Sequence, residues 1–231
     1  MGVFDDLFSA QESKGKYKPP IAQMSAGMQD SAGNPKNLST WRFASDDRAT
    51  LEKIVELFGG EIRTYKTPRK TGEHVITTAY DVEGVIESER DVEVAAILWK
   101  DGRPYHKCNY RSYLFGTVEG SPGEPCSCAG YAMREIKRRS RDGEGPAPAI
   151  RVDFTVAQDR DMGKIRFKSS SFGLLQKFDA FVDEIKAAGE PVVVSLSKAY
   201  RSWEDEDTGE LVETREIVPT VTGTLNDEIA S

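Results

Sequence analysis

The chain has 231 residues, 38% hydrophobic and 30% charged, so it can bury a sizeable core although it is rich in polar residues. Its net charge of -7 argues against a protein that coats DNA through bulk positive charge. No apolar run is long enough to cross a membrane, and the N-terminus lacks the pattern of a signal peptide. Three cysteines are too few for a disulfide framework, so we expect a cytoplasmic protein.

Regular structure is predicted to begin near residue 39. Residues 1–38 are rich in Gly, Ser, Pro and Lys without a helical or strand period, which predicts an extended or disordered arm. The segment "TWRFAS" then alternates like a strand, and the helix that follows is expected to begin at a Ser45 cap and to end at Gly59. Its predicted buried stripe comprises Leu51, Ile54, Val55 and Phe58.

Strands dominate the next part of the chain. "EIRTYK" predicts one strand, and "EHVITTAYDVEGVIES" predicts a second, long strand with a bulge at Gly84. "VEVAAILW" leads through the turn "KDGR" into "PYHKCNYRSYLFGT", which is expected to be a further strand.

A second group of elements resembles the first in its order. The strands "AIRVDFTV" and "GKIRFKSSS" precede a helix that ends at Gly189, and a hairpin follows across the acidic turn "EDEDTG". The helix is expected to bury Leu174, Leu175, Phe178, Val182 and Ile185. Two interpretations stay open: an internal duplication of a strand–helix–strand–strand unit, or two copies of a common packing unit.

The predicted fold class is therefore α+β, a mainly antiparallel sheet with two principal helices and a short basic helix. We expect a single α+β domain over residues 39–225 and a C-terminal tail over 226–231. Its halves would be 39–120 and 148–225, joined by a segment that carries cysteines and basic residues.

The three cysteines and one histidine are candidate zinc ligands. Cys126 and Cys128 form a C-x-C pair, Cys108 lies upstream, and His106 precedes it by two residues. Zinc takes four thiolate or imidazole ligands in a tetrahedron. On a strand His106 and Cys108 would point to the same face, which is an awkward but possible arrangement for two ligands of one ion. Since no fourth ligand is obvious, we expect no cofactor, or a degenerate site that holds zinc weakly.

A compact basic run follows the cysteines. The segment "REIKRRSR" has five basic residues and one acidic residue, and on a helix it would turn Tyr131, Met133 and Ile136 inward. Such a helix can contact phosphates, meet an acidic partner, or be a solvated face. The candidate contact residues are Arg134, Lys137, Arg138, Arg139 and Arg141.

In the order of its motifs the chain resembles the phage recombination directionality factors, which are partners of large serine integrases. The resemblance rests on "WRFASDD" leading into "LEKIVELFGGE", on "PCSC" before a basic helix, and on "IRVDFTV" followed by "GKIRFKSSSFGLL". In that family a further cysteine commonly precedes the strand that corresponds to "AIRVDF". Here Ala147 or Ala149 stands at that place, which puts a complete zinc site in doubt or makes His106 the substitute.

The resemblance implies a function without catalysis. Such a factor binds the integrase, mostly through its coiled-coil subdomain, and switches it from attP × attB integration to attL × attR excision in the bacterial cytoplasm. It would meet attachment-site DNA through the integrase. No G-x-S-x-G, P-loop or G-x-G-x-x-G motif occurs, so an enzyme has little support.

Two other functions stay open. A phage single-stranded DNA-binding or replication accessory protein would use the aromatic residues near the basic helix for base stacking. These are Tyr105, Tyr110, Tyr113 and Phe115. A small hydrolase or nuclease is supported only by the abundance of carboxylates.

Overall fold

The computed structural model describes residues 19–68, 70–189, 191–204 and 209–225. Three helices lie in this part: α1 (Arg48–Phe58), α2 (Met133–Arg141) and α3 (Phe172–Ala188). The strands are β1 (Ala22–Gln29), β2 (Pro35–Ser45), β3 (Glu61–Lys66), β4 (Thr71–Ile76), β5 (Asp81–Ile86), β6 (Val92–Lys100), β7 (Arg103–Cys108), β8 (Ala147–Val156), β9 (Asp159–Ser169), β10 (Val192–Glu204) and β11 (Leu211–Thr224). The predicted α+β class is confirmed.

The described residues form two compact units. The first comprises 92–151 and 169–179, and the second comprises 19–91, 152–168 and the described residues from 180 onward. The chain passes from one unit to the other after Asp91, within β8, at the end of β9 and within α3. Each unit is therefore assembled from segments that are distant in sequence.

The second unit contains a sheet in the order β11-β10-β5-β8-β9-β1-β2-β4-β3. Strand β1 pairs antiparallel with β2 and parallel with β9, and β10 and β11 form a long antiparallel hairpin. Helix α1 buries its predicted stripe except Val55, which is half-buried. Phe43 stacks on Phe58 with ring centroids 5.6 Å apart, which attaches α1 to β2.

Helix α1 begins two residues later than predicted, because Asp47 and not Ser45 is its cap. The Asp47 carboxylate accepts hydrogen bonds from the amides of Ala49 and Thr50 at 3.3 and 3.0 Å. The Ser45 hydroxyl instead donates to the carbonyl of Ile21 at 2.7 Å. The helix ends at Gly59, as predicted, with a positive φ of 68°.

The prediction for the first two strands of this unit is wrong. Residues 22–29 and 35–38, expected in an extended or disordered arm, lie in β1 and β2, because neighbouring strands pair with their backbone although the side chains lack a clear period. The rest of that arm, residues 1–18, and the 226–231 tail lie outside the described residues.

The segment predicted as one strand bulged at Gly84 is two strands, β4 and β5. The break between them is stabilised by Trp41, whose indole N–H donates to the carbonyl of Tyr80 at 2.8 Å. Gly84 lies within β5, where a Cβ would meet Cδ2 of Phe154 at 2.3 Å, so close packing accounts for this glycine.

The first unit is built on the β6–β7 hairpin, and its turn places Asp101 and Gly102 at positive φ. The strand predicted over "PYHKCNYRSYLFGT" ends at Cys108. Tyr110 has a φ of 65°, outside the strand region, so the chain turns there. Turns then lead to α2, which packs Ile136 inward.

An internal duplication is not confirmed. In the first predicted copy β2 pairs directly with β4, whereas in the second β9 is separated from β10 by β8 and β5. The common order of elements therefore does not extend to a common pairing. In the described part of the chain, no helix is long and apolar enough to cross a membrane.

Candidate functional site

Four potential metal ligands meet in the first unit. His106 and Cys108 are two residues apart on β7, so their side chains share a face, while Cys126 and Cys128 come from the turns before α2. Their ligand atoms all lie within 4.8 Å of one another. We call this group, His106, Cys108, Cys126 and Cys128, the thiol–imidazole cluster. All four residues are buried, so water does not compete for their donor atoms.

Glu119 orients the imidazole of the cluster. Nδ1 of His106 lies 2.6 Å from Oε2 of Glu119, and Nε2 lies 3.5 Å from Sγ of Cys128. A carboxylate accepts hydrogen bonds, so it favours the tautomer in which Nδ1 carries the proton and Nε2 presents its lone pair to the sulfurs. In the neutral ring Nε2 is therefore the nitrogen that can bind a metal, whereas in the charged ring it donates to Sγ of Cys128.

Backbone amides support the cysteines. The amide of Tyr110 donates to Sγ of Cys108 at 3.3 Å, and the amide of Ala129 donates to the backbone carbonyl of Cys126 at 3.0 Å. The first of these bonds stabilises negative charge on sulfur, and the second holds the turn that carries Cys126 and Cys128. The segment after Cys108 thus folds back so that its own backbone supports the ligands.

The thiols of the cluster differ in acidity. The hydrogen bond from Cys108, followed by that from His106, lowers the pKa of Cys128 to about 5. The same bond and burial raise the pKa of Cys108. Burial lowers the pKa of His106, but its hydrogen bonds to Cys128 and Glu119 outweigh burial and raise it. Cys128 is thus the cysteine of the cluster that most readily becomes a thiolate, without any bound metal ion.

The structure brings together all four residues that the sequence named as candidate ligands. The same-face position of His106 and Cys108 is compatible with a shared site, because the C-x-C segment approaches that face. A donor set of three thiols and one imidazole matches tetrahedral structural zinc sites. Sequence reasoning missed Glu119, because a glutamate in a polar loop carries no signal of its role.

The basic residues of α2 fall into two groups. Arg138 pairs with Glu135 at 2.6 Å and with Asp142 at 3.0 Å. Arg139 lies over the ring of Tyr131 at 4.7 Å and donates to its hydroxyl. Both guanidinium groups are thus engaged within the first unit, which leaves them less available for a partner.

The other three basic residues form what we call the basic stripe: Arg134, Lys137 and Arg141. They are spaced three and then four residues apart, so they share one face of α2. All three are exposed, and no ion-pair partner is found for them within the described residues. The stripe is therefore the part of the basic run that is free to contact another molecule.

The apolar side of α2 departs from the prediction. Ile136 is buried, but Met133 is 37% exposed and Tyr131 is 40% exposed. All three side chains line a hollow of about 260 Å³ in the first unit, together with Tyr110 and Leu175 among others. The helix thus presents an apolar hollow next to its charges instead of burying that side completely.

The aromatic residues near α2 do not form a stacking surface. Tyr113 is buried in the same cluster as Cys108, and Tyr105 is covered by Lys100, whose Nζ lies 3.9 Å from the ring centroid. Tyr110 is only partly exposed, and Phe115, at 72%, is the well-exposed member of the four. Base stacking on consecutive exposed rings is not supported here.

Comparison with known proteins gives one family. No solved structure matches the chain. The Gp3-like family, described as recombination directionality factor-like, matches residues 11–214. This range includes most of both units, with the thiol–imidazole cluster and the basic stripe. The chain therefore belongs to the Gp3-like family of recombination directionality factor-like proteins.

Proposed function

We propose that this protein is a recombination directionality factor that binds a phage large serine integrase and switches it from attP × attB integration to attL × attR excision. The observation that carries the proposal is the family match over residues 11–214. The coiled-coil subdomain of the integrase is the proposed partner surface. In this proposal the protein acts in the bacterial cytoplasm, has no catalytic activity of its own, and meets DNA through the integrase.

The switch works by differential binding. A factor without an active site changes the outcome only if it binds one arrangement of the integrase more tightly than another. Moving a two-state equilibrium from 1:99 to 99:1 takes a preference of about 5.5 kcal/mol. A protein–protein interface of ordinary size can supply this preference.

The basic stripe is the proposed contact. Arg134, Lys137 and Arg141 are exposed on one helix face, and acidic side chains of a partner would complement them. The apolar hollow beside the helix adds a place for a partner side chain. The net charge of -7 disfavours free duplex DNA at a distance, which favours a protein over DNA as the target of the stripe.

The test is recombination in vitro with the cognate integrase. Wild-type protein is expected to activate attL × attR recombination and to inhibit attP × attB recombination. Charge reversal of the stripe (Arg134→Glu, Lys137→Glu and Arg141→Glu together) is expected to weaken both effects in parallel, since both depend on one complex. A pull-down of integrase should lose signal with the same variant.

A matched control reverses three exposed charges elsewhere: Lys36→Glu, Lys66→Glu and Arg103→Glu together. It carries the same change in net charge and is expected to switch the integrase normally. If the stripe variant also binds and switches normally, the stripe is a solvated face. If wild-type protein has no effect on either reaction and instead retards single-stranded DNA at physiological salt, the DNA-binding function replaces this proposal.

A further inference from the structure

We propose that the thiol–imidazole cluster binds one zinc ion as a closed structural site, in which Glu119 fixes the orientation of the histidine ligand. This inference is independent of the proposed function, because it follows from donor atoms that the fold brings together. It differs from the expectation of a weak or absent site, which rested on the lack of an obvious fourth ligand. His106 supplies that ligand.

The spacing of the donors suits zinc. With Zn–S bonds of about 2.3 Å and a Zn–N bond of about 2.0 Å, a tetrahedron places two sulfurs about 3.8 Å apart and sulfur and nitrogen about 3.5 Å apart. Nε2 of His106 and Sγ of Cys128 are 3.5 Å apart, and every pair of donors in the cluster lies within 4.8 Å. The observed sulfur–nitrogen distance equals the tetrahedral value, and the 4.8 Å limit for the other pairs is about 1 Å above the tetrahedral sulfur–sulfur distance.

The surroundings of the cluster are those of a metal site. Ligating histidines commonly donate their second N–H to a carboxylate, and Nδ1 of His106 lies 2.6 Å from Oε2 of Glu119, in position to do so. The amide of Tyr110, 3.3 Å from Sγ of Cys108, stabilises a thiolate there. If the three thiols only filled the core, neither an imidazole nitrogen beside Cys128 nor an amide directed at Cys108 would be needed.

The chemistry of the donors selects the ion. Three thiolates and an imidazole favour zinc over magnesium or calcium, which prefer oxygen ligands. Four protein ligands leave no open position for water or substrate, so the site is structural and not catalytic.

Zinc would join β7 to the segment that leads into α2. Cys108 ends β7, while Cys126 and Cys128 lie only a few residues before the helix begins at Met133. The amide of Tyr131 donates to the carbonyl of Cys128 at 3.0 Å, which extends the connection toward the helix. The ion would therefore set the position of α2 within the first unit.

Elemental analysis of the full-length protein, purified under reducing conditions and dialysed, tests the inference. We expect one zinc per chain, and reconstitution with Co²⁺ should give the visible absorption of tetrahedral cobalt with thiolate ligands. Chelator should remove the ion with release of three titratable thiols and increased amide exchange over residues 106–132. A protein without bound metal whose amide exchange is unaffected by both zinc and chelator contradicts the proposal, as does a disulfide among the cysteines.

The zinc content of single variants distinguishes the ligands from neighbouring residues that do not bind the ion. Cys126→Ser should lose stoichiometric zinc, whereas Ser127→Ala, an exposed residue between two ligands, should keep it. His106→Cys should retain the ion because it preserves four soft donors, which also guards against a variant that simply fails to fold. Zinc content that is the same in Cys126→Ser as in wild type contradicts the proposed ligand set.

The role of Glu119 has its own readout. Glu119→Gln should retain one zinc per chain but weaken zinc affinity about 10- to 100-fold, measured by competition with a chelating dye. An unchanged affinity would show that Glu119 does not position His106.

Discussion

His74 provides a test of the packing in the second unit, because it is buried and no acidic side chain among the described residues pairs with it. It lies on β4, 3% exposed, with its ring stacked on Tyr65 at a centroid distance of 5.1 Å. Nε of Arg42 donates to its Nδ1 at 3.0 Å, so Nδ1 must be unprotonated. Burial, followed by the charges of Arg42 and Arg63, lowers the pKa of His74 to about 4.

The sign and size of the effect follow from linkage. An unfolded histidine has a pKa of about 6.5, so between pH 6.5 and about 4 the unfolded chain binds a proton that the folded protein excludes. The stability that His74 contributes is therefore fully present above pH 6.5 and is lost as the pH falls toward 4. At pH 5 this loss amounts to about 2 kcal/mol, since each pH unit in this window costs about 1.4 kcal/mol.

Urea unfolding at pH 7.5 and pH 5, followed by circular dichroism, measures this loss. His74→Gln cannot take up the proton, so its free energy of unfolding should fall by about 2 kcal/mol less than that of wild type between the two pH values. The comparison removes the contribution of His106 and of the carboxylates, which titrate in both proteins. Equal losses in the two proteins would mean that His74 is protonated in the folded state and that the Arg42 contact does not form.

Two further predictions concern packing. Phe178→Ala should lower stability by about 3–5 kcal/mol and reduce the melting temperature, because the side chain is fully buried, and an unchanged melt would show that it is exposed. Gly84→Ala should cost about 1–3 kcal/mol because its Cβ would lie 2.3 Å from Phe154, whereas Gly130→Ala, with open space around its Cβ, should melt like wild type. Equal melting temperatures for the two glycine variants would contradict the close packing at Gly84.

Local pattern alone was enough to predict much of the secondary structure. The stripe of α3 is buried at all five predicted positions, and the β10–β11 hairpin pairs as expected. Both follow from the periods of helix and strand, which depend only on neighbouring residues. The five basic residues of α2 were likewise visible as a run.

Only the tertiary structure could decide the features that depend on distant partners. The strand β1 has a weak pattern and forms because β2 and β9 pair with its backbone. The split of the basic run depends on where Tyr131 and Asp142 lie around Arg139 and Arg138. Helical periodicity predicts the face on which each basic residue of α2 lies, but it does not predict which of these residues contacts an acidic or aromatic side chain.

For the candidate metal ligands, too, the sequence predicted one part and the tertiary structure decided the other. The spacing of the cysteines identified candidates because thiols and imidazoles are the donors that zinc prefers. Whether four donors converge depends on the turn at Tyr110 and on the path of the chain between Cys108 and Cys126, and no short sequence motif records that path. The contact between Glu119 and His106 arises from the same folding back of the chain. Composition and spacing thus determined which residues could bind a metal, and long-range packing determined that they meet.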